Sequence, residues 1–232
     1  MTLPERSVRL TVSGRSRRHE LRVGVRQVVI AGWTSRDAVG VEQHIRELEE
    51  LGVARPLSIP AFYRVSTSRL TTDPVIEVSG DHSSGEVEFV LMQCGGHLYV
   101  GVGSDHTDRR VETYSVEVAK QMCDKPLAVE VWPFADVDKH WDALVLRSWA
   151  GVGPGRLPYQ EGPVSAMRTP RDLIQRFTGA ATLPEGTVMF CGTLAALDGI
   201  RPAQEFEFEI EDPVLGRRIR HSYDVVSLPA AR

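Results

Sequence analysis

The first thirty residues alternate between apolar and polar positions and are rich in valine. Residues 8–12 and 20–30 therefore read as two β-strands, the second broken at Gly32-Trp33. The period then changes. Ala38, Val41, Ile45 and Leu48 recur at three- and four-residue steps, which predicts an amphipathic helix over residues 36–51, capped by Ser35 and stopped by Gly52. Residues 75–104 read as strands punctuated by Gly and Ser. A second helix is predicted over 111–122, followed by strands at 129–131 and 143–149. Residues 151–163, dense in Gly and Pro, read as a loop, and Thr169 or Pro170 opens a helix to about residue 177. Strands return at 187–191, 205–210 and 218–226. Strands dominate with about three short helices, which predicts a mixed α+β fold. No internal repeat or low-complexity tract is visible.

Composition narrows the function classes. The chain has 232 residues, about two-fifths of them apolar, enough for one large domain with a real core. A net charge of -4 and a pI near 6.0 give no electrostatic reason to expect nucleic acid or an anionic membrane as partner. Cys94, Cys123 and Cys191 are odd in number and widely spaced, which argues against a disulfide framework or a structural zinc site. No apolar run approaches the length of a membrane span, and residues 1–20 lack the apolar core of a signal peptide, so a cytoplasmic location is expected.

The chemistry concentrates in residues 85–105. Gly95-Gly96 is a two-residue hairpin signal, because a type I′ turn needs positive φ at both positions. Cys94 then pairs with His97, and paired residue numbers keep a constant sum. Glu86 falls opposite Asp105, and Glu88 opposite Gly103. Alternation puts Glu86, Glu88 and Asp105 on one face. Opposed like charges destabilise a sheet, and a hard divalent cation would compensate them, with Gly101 and Gly103 leaving room above the sheet. The ordinary alternative, a solvent-facing strand with scattered acids, stands beside this reading.

Several motifs in order resemble the fumarylacetoacetate hydrolase superfamily, whose members carry an E-x-E pair followed by an aspartate. Glu86, Glu88 and Asp105 fill that pattern, and the segment Ser104-Asp105-His106-Thr107-Asp108-Arg109 keeps the Asp, Thr and Arg of the family's N-D-x-T-A-R-D-x-Q. Lys120 to Pro126 resembles the family's K-S-x-D-x-x-x-P, Leu183 to Thr193 its L-x-x-G-D-x-I-x-T-G-T-P, and Ser58 to Tyr63 its P-x-x-F-x-K-P. The chain departs from the family at Arg64-Val65, where Lys-Pro is usual, at Leu194 in place of a proline, and at Glu112 in place of a glutamine.

The resemblance implies one fumarylacetoacetase-like domain over 1–232, with a β-barrel-like core and short flanking helices. N-terminal strands would span 1–32, a lid helix and loop 33–60, and the catalytic core 61–232. It implies Mg²⁺ or Mn²⁺ (Ca²⁺ also fits) on Glu86, Glu88 and Asp105, a small oxo-acid substrate and a homodimer. Lys120 would add charge at a developing oxyanion, Arg109 would pair with a carboxylate, and Gly192 and Thr193 would hold the substrate's acid group. His44 and Glu47 match the H-x-x-E dyad of relatives that cleave C–C bonds, and i, i+3 spacing places them on one helix face. The same spacing also describes an ordinary surface pair. The reaction expected is metal-dependent C–C hydrolysis of an acylpyruvate-like acid. Dehydration or hydration, decarboxylation, and small-acid binding without catalysis are the alternatives on the same site.

Overall fold

The valine-rich alternation at the start of the chain does form strands, but residues 20–30 divide into two. Arg18–Val25 pairs antiparallel with Arg6–Ser13, whereas Gln27–Gly32 runs parallel to Thr187–Phe190. The break is at Arg26, where the backbone N–H groups of Arg26 and Gln27 turn to the Gly186 carbonyl, at 2.9 and 3.3 Å. The computed structural model describes residues 6–50, 55–56, 58–151 and 153–229; the side chains of His44, Glu47, Leu48, Glu50 and Pro154 also lie outside the description.

Eight strands form one sheet in the order Arg18–Val25, Arg6–Ser13, Glu130–Pro133, His97–Ser104, Val87–Cys94, Thr187–Phe190, Gln27–Gly32 and Ala61–Val65. The expected N-terminal strands are thus built into the same sheet as the central hairpin. Five strands form a second sheet: Leu157–Pro163, Val145–Gly151, Glu205–Asp212, Arg217–Leu228 and Val75–Ser79. The first sheet curls, so that Val23 and Val25 from one edge and Val65 from the other join Val90, Met92, Val188 and Phe190 in one apolar cluster. Its other face packs Phe89, Leu91, Val100 and Val102 against Leu146, Phe206, Phe208 and Ile210 of the second sheet. A strand-rich α+β fold with few short helices is what the sequence predicts.

Three local expectations are corrected. Residues 157–163 are a strand, not loop: Leu157–Pro163 lies at the sheet edge, where Pro158 and Pro163 cost no ladder bond, with a register shift at Ser148/Trp149. The helix expected over 111–122 is two short helices, Arg109–Glu112 and Val116–Met122, because Asp108 and Ser115 each accept a hydrogen bond from the backbone N–H three residues on and so start a separate helix. The first helix is Ala38–Glu50. Asp37 caps it by accepting from Gly40 N–H at 3.0 Å, while Ser35 accepts from Asp37 N–H. On that helix Ile45 is buried, Val41 half-buried and Ala38 exposed, so the apolar stripe is narrower than its spacing suggests. Gly52 lies outside the described residues.

The hairpin register is as expected: Cys94 pairs with His97, Glu88 with Gly103 and Val87 with Ser104, and Asp105 N–H donates to Glu86 C=O at 3.0 Å. The glycines opposite do not leave open space, however. A Cβ on Gly103 would lie 2.6 Å from Phe190 Cε1 and 2.8 Å from the Pro126 carbonyl oxygen, and one on Gly101 would meet Val131 and Met92. The missing side chains admit protein, not ligand. Gly103→Ala is therefore expected to destabilise the fold by about 1–3 kcal/mol through overpacking, read as a lowered urea midpoint with an unchanged slope. An unchanged midpoint would mean Phe190 moves freely.

Candidate metal centre

Alternation along Val87–Cys94 decides where the acids point. Phe89 and Leu91 face the second sheet, while Val90 and Met92 face the inside of the curl. Glu86 and Glu88 share the parity of Val90 and Met92, and Asp105 lies opposite Glu86. The three carboxylates therefore end the inner face of the hairpin, where the strands leave the apolar cluster. One oxygen from each lies within 4.8 Å of the others. Glu88 and Asp105 are buried and Glu86 half-buried.

Two lysines compensate them. Lys120, brought in by Val116–Met122, donates to Asp105 Oδ2 and lies 4.0 Å from Glu86 Oε2 and from Glu112 Oε1. Lys125, with no exposure, donates to the His106 carbonyl at 2.6 Å and stands 3.2 Å from Asp105 Oδ1. Arg109 donates to Ser84 at 2.8 Å, Glu86 at 3.0 Å and Glu112 at 2.9 Å. Lys120 and Arg109 thus meet acids of this chain where the sequence expectation aimed them at substrate. Glu88 accepts from Gly192 N–H at 2.8 Å, and the Thr193 hydroxyl donates to the Val87 carbonyl at 2.7 Å. The donors expected to hold the substrate's acid group are engaged within the protein. His106 faces the second sheet, as its parity requires, and bonds Tyr223 and Ser83, each at 2.8 Å. His44 and Glu47 lie on Ala38–Glu50, but their side chains are outside the described residues.

The electrostatics follow from burial. Burial alone raises the Asp105 carboxyl, but Lys120 and Lys125 outweigh it and hold it at about 2. Glu88 is pushed well above the usual carboxylate range by burial first and then by the charges of Asp105 and Glu86. Burial pulls Lys125 down despite Asp105, whereas for Lys120 the acids Asp105, Glu86 and Glu112 overcome burial and raise it. Fully ionised, Glu86, Glu88, Asp105 and Glu112 carry four negative charges against three positive on Lys120, Lys125 and Arg109, a net of one negative.

The donor set fits a hard divalent cation. Asp105 Oδ1 is buried with only the Lys125 ammonium beside it, at 3.2 Å, and three converging carboxylates are the ligands that Mg²⁺, Mn²⁺ and Ca²⁺ take, at roughly 2.0–2.6 Å. A cavity of about 460 Å³ opens onto Glu86 and Glu88 and is walled also by Arg109, Glu112, Lys120, Trp33, Tyr63 and Gln160. Sequence reasoning missed three contributors. Lys125 had no periodicity to mark it. Glu112 was noted only as a departure. Gln160, in the stretch read as loop, accepts from Val87 N–H and donates to Thr193 Oγ1 and the Leu194 carbonyl, pinning the turn beside Glu88. That turn needs Gly192: its φ is +94°, and a Cβ there would lie 1.8 Å from Thr34 Oγ1.

Calorimetric titration of metal-stripped protein with Mg²⁺ or Mn²⁺ is expected to show one ion per chain. Glu86→Gln and Asp105→Asn should each weaken binding by more than about 100-fold, since even neighbours of metal ligands cost 10–100-fold. The metal-free protein keeps a proton on Glu88 to higher pH than an ordinary glutamate does. A ligand must be deprotonated, so binding releases that proton and affinity rises with pH, levelling off once Glu88 is ionised without metal. An affinity that does not change with pH would exclude Glu88 as a ligand.

Solved structures share this architecture. Cg1458 superposes with a TM-score of 0.63 at 16% identity, covering 92% of this chain and 83% of that one. Yeast ynq8, a fumarylacetoacetate hydrolase family protein, gives 0.62 at 15%, covering 89% and 95%. A 2-keto-3-deoxy-D-arabinonate dehydratase complexed with magnesium and 2,5-dioxopentanoate gives 0.59 at 17%, covering 88% and 74%. At such identities the likeness is one of fold, and the fold is the fumarylacetoacetate hydrolase type that the motifs resemble. No curated protein matches the sequence. A family model described as "Protein of unknown function (DUF2848)" matches residues 31–223, and the chain belongs to that family.

Proposed function

We propose that this chain is a metal-dependent hydrolase that cleaves a carbon–carbon bond in a small, acylpyruvate-like oxo-acid. The observation that carries the reading is the convergence of Glu86, Glu88 and the fully buried Asp105, with Glu86 and Glu88 lining a cavity whose wall also bears Lys120 and Arg109. A divalent cation on those carboxylates supplies Lewis acidity toward a carbonyl oxygen. The protein's own groups do the rest. Lys120 holds Asp105 in place and keeps positive charge on the wall where negative charge develops on substrate oxygen. Arg109 is oriented by Ser84, Glu86 and Glu112, and its Nη2 has no hydrogen-bond partner among the described residues. Gly192 fixes Glu88, and Thr193 with Gln160 fixes the turn beside it. Asp37, which caps the first helix, and Gly40 and Val41 on it line the cavity, which supports a role for His44, oriented by Glu47, as general base toward water. The same reading takes the protein as a cytoplasmic homodimer. Among the described residues no helix is long and apolar enough to cross a membrane.

A lyase on the same site is the second reading, favoured by the similarity to the dehydratase. Product analysis over a panel of oxo-acids decides between them. Hydrolysis predicts two fragments from an acylpyruvate, and whole carbon skeletons on every substrate turned over would establish the lyase instead. Under the hydrolase reading, His44→Ala lowers turnover by about 10²–10⁴-fold with unchanged metal affinity. Metal-dependent binding without turnover of any acid would overturn both.

A further inference from the structure

We infer that the cavity selects oxo-acids with a single carboxylate and an uncharged, apolar remainder, and that Glu112 enforces the choice. The inference rests on the reading above that the cluster holds a divalent cation and takes an oxo-acid. Among the described residues the ionisable carboxylates on the wall are Asp37, Glu86, Glu88 and Glu112, and the cations are Arg109 and Lys120. Both cations face Glu112: Arg109 Nη1 lies 2.9 Å from Oε2 and Lys120 Nζ 4.0 Å from Oε1. Their other acidic partners are Glu86 and Asp105. Arg109 Nη2 leaves a donor for one substrate carboxylate, and a second carboxylate meets no cation whose charge is not already balanced.

Charge counting gives the same answer. The four acids and three bases of the cluster leave one negative charge and Asp37 on the wall adds a second, so a divalent cation brings the total to zero. One substrate carboxylate then leaves one negative charge, and a second makes it two in a cleft of reduced dielectric, where unpaired charge is costly. The remainder of the wall agrees with an apolar tail: Trp33, Val41, Leu194, Ala196 and Ile200 line it, and among the described residues the ionisable group beside the first helix, Asp37, is itself an acid. The volume of about 460 Å³ exceeds the need of a short oxo-acid head, so there is space for such a tail.

The test is calorimetric binding to protein saturated with Mg²⁺, comparing 2-oxopentanoate with 2-oxoglutarate. The two share their carbon chain length and differ by the terminal carboxylate. We expect 2-oxopentanoate to bind at least about tenfold tighter, which is roughly 1.4 kcal/mol. Glu112→Gln should narrow the ratio, chiefly by tightening 2-oxoglutarate. Asp37→Asn, which keeps a helix-capping side chain, should narrow it in the same direction and serves if the first variant folds poorly. Equal or tighter binding of 2-oxoglutarate by the parent overturns the inference, as does a ratio that neither variant changes. If Mg²⁺ binds but neither acid does, the oxo-acid reading itself fails and takes this inference with it. If Mg²⁺ does not bind, the metal assignment fails first.

Discussion

Asp105 is a carboxylate with no exposure to water, and a buried charge is tolerated only where partners replace its lost hydration. Much of the surrounding structure meets that demand. The two short helices after the hairpin deliver Lys120, and the next strand segment delivers Lys125, so that an ammonium stands against each oxygen of Asp105. Arg109 reaches back to Glu86 from the first of those helices. Acids that would repel one another across a strand pair are thereby held together.

The hairpin sets the geometry on which this rests. Its turn glycines have φ of +60° and +74°, and Glu185 from a distant segment accepts from Gly95 N–H at 2.6 Å, tying the turn to the strand that follows. A slip of one residue would send every side chain to the other face. Glu86 and Glu88 would then point toward the second sheet, into Phe206 and Phe208, and the apolar core and the candidate site would be lost together. Stability and chemistry share one register.

The cavity wall is assembled from segments far apart in the chain. Trp33 and Thr34 follow the third strand, Tyr63 lies on the next, Glu112 ends a short helix, Gln160 sits on an edge strand and Leu194 follows the turn at Gly192. Gln160 joins its edge strand to the hairpin and to the turn after Gly192 through one amide, which bonds Val87, Thr193 and Leu194. The floor is strand and the rim is turn and helix terminus, an arrangement that holds the converging carboxylates on regular structure and leaves the rim to segments that vary more readily.

The sequence by itself determined the elements whose signals are local. The Gly95-Gly96 turn sets the register through its φ requirement, alternation places Glu86 and Glu88 on one face, and constant-sum pairing brings Asp105 opposite, all from residues fewer than twenty apart. The strand-rich fold class was legible for the same reason. Tertiary structure decided what depends on distant partners. It split residues 20–30 because Gly186 captures the chain at Arg26, and it made an edge strand of 157–163 because edge prolines cost no ladder bond. It filled the space above Gly103 with Phe190, and it turned Lys120, Arg109 and the Gly192 N–H onto acids of this chain. No spacing rule encodes these contacts, because each is settled by burial and charge balance among groups that meet only once the sheets have closed.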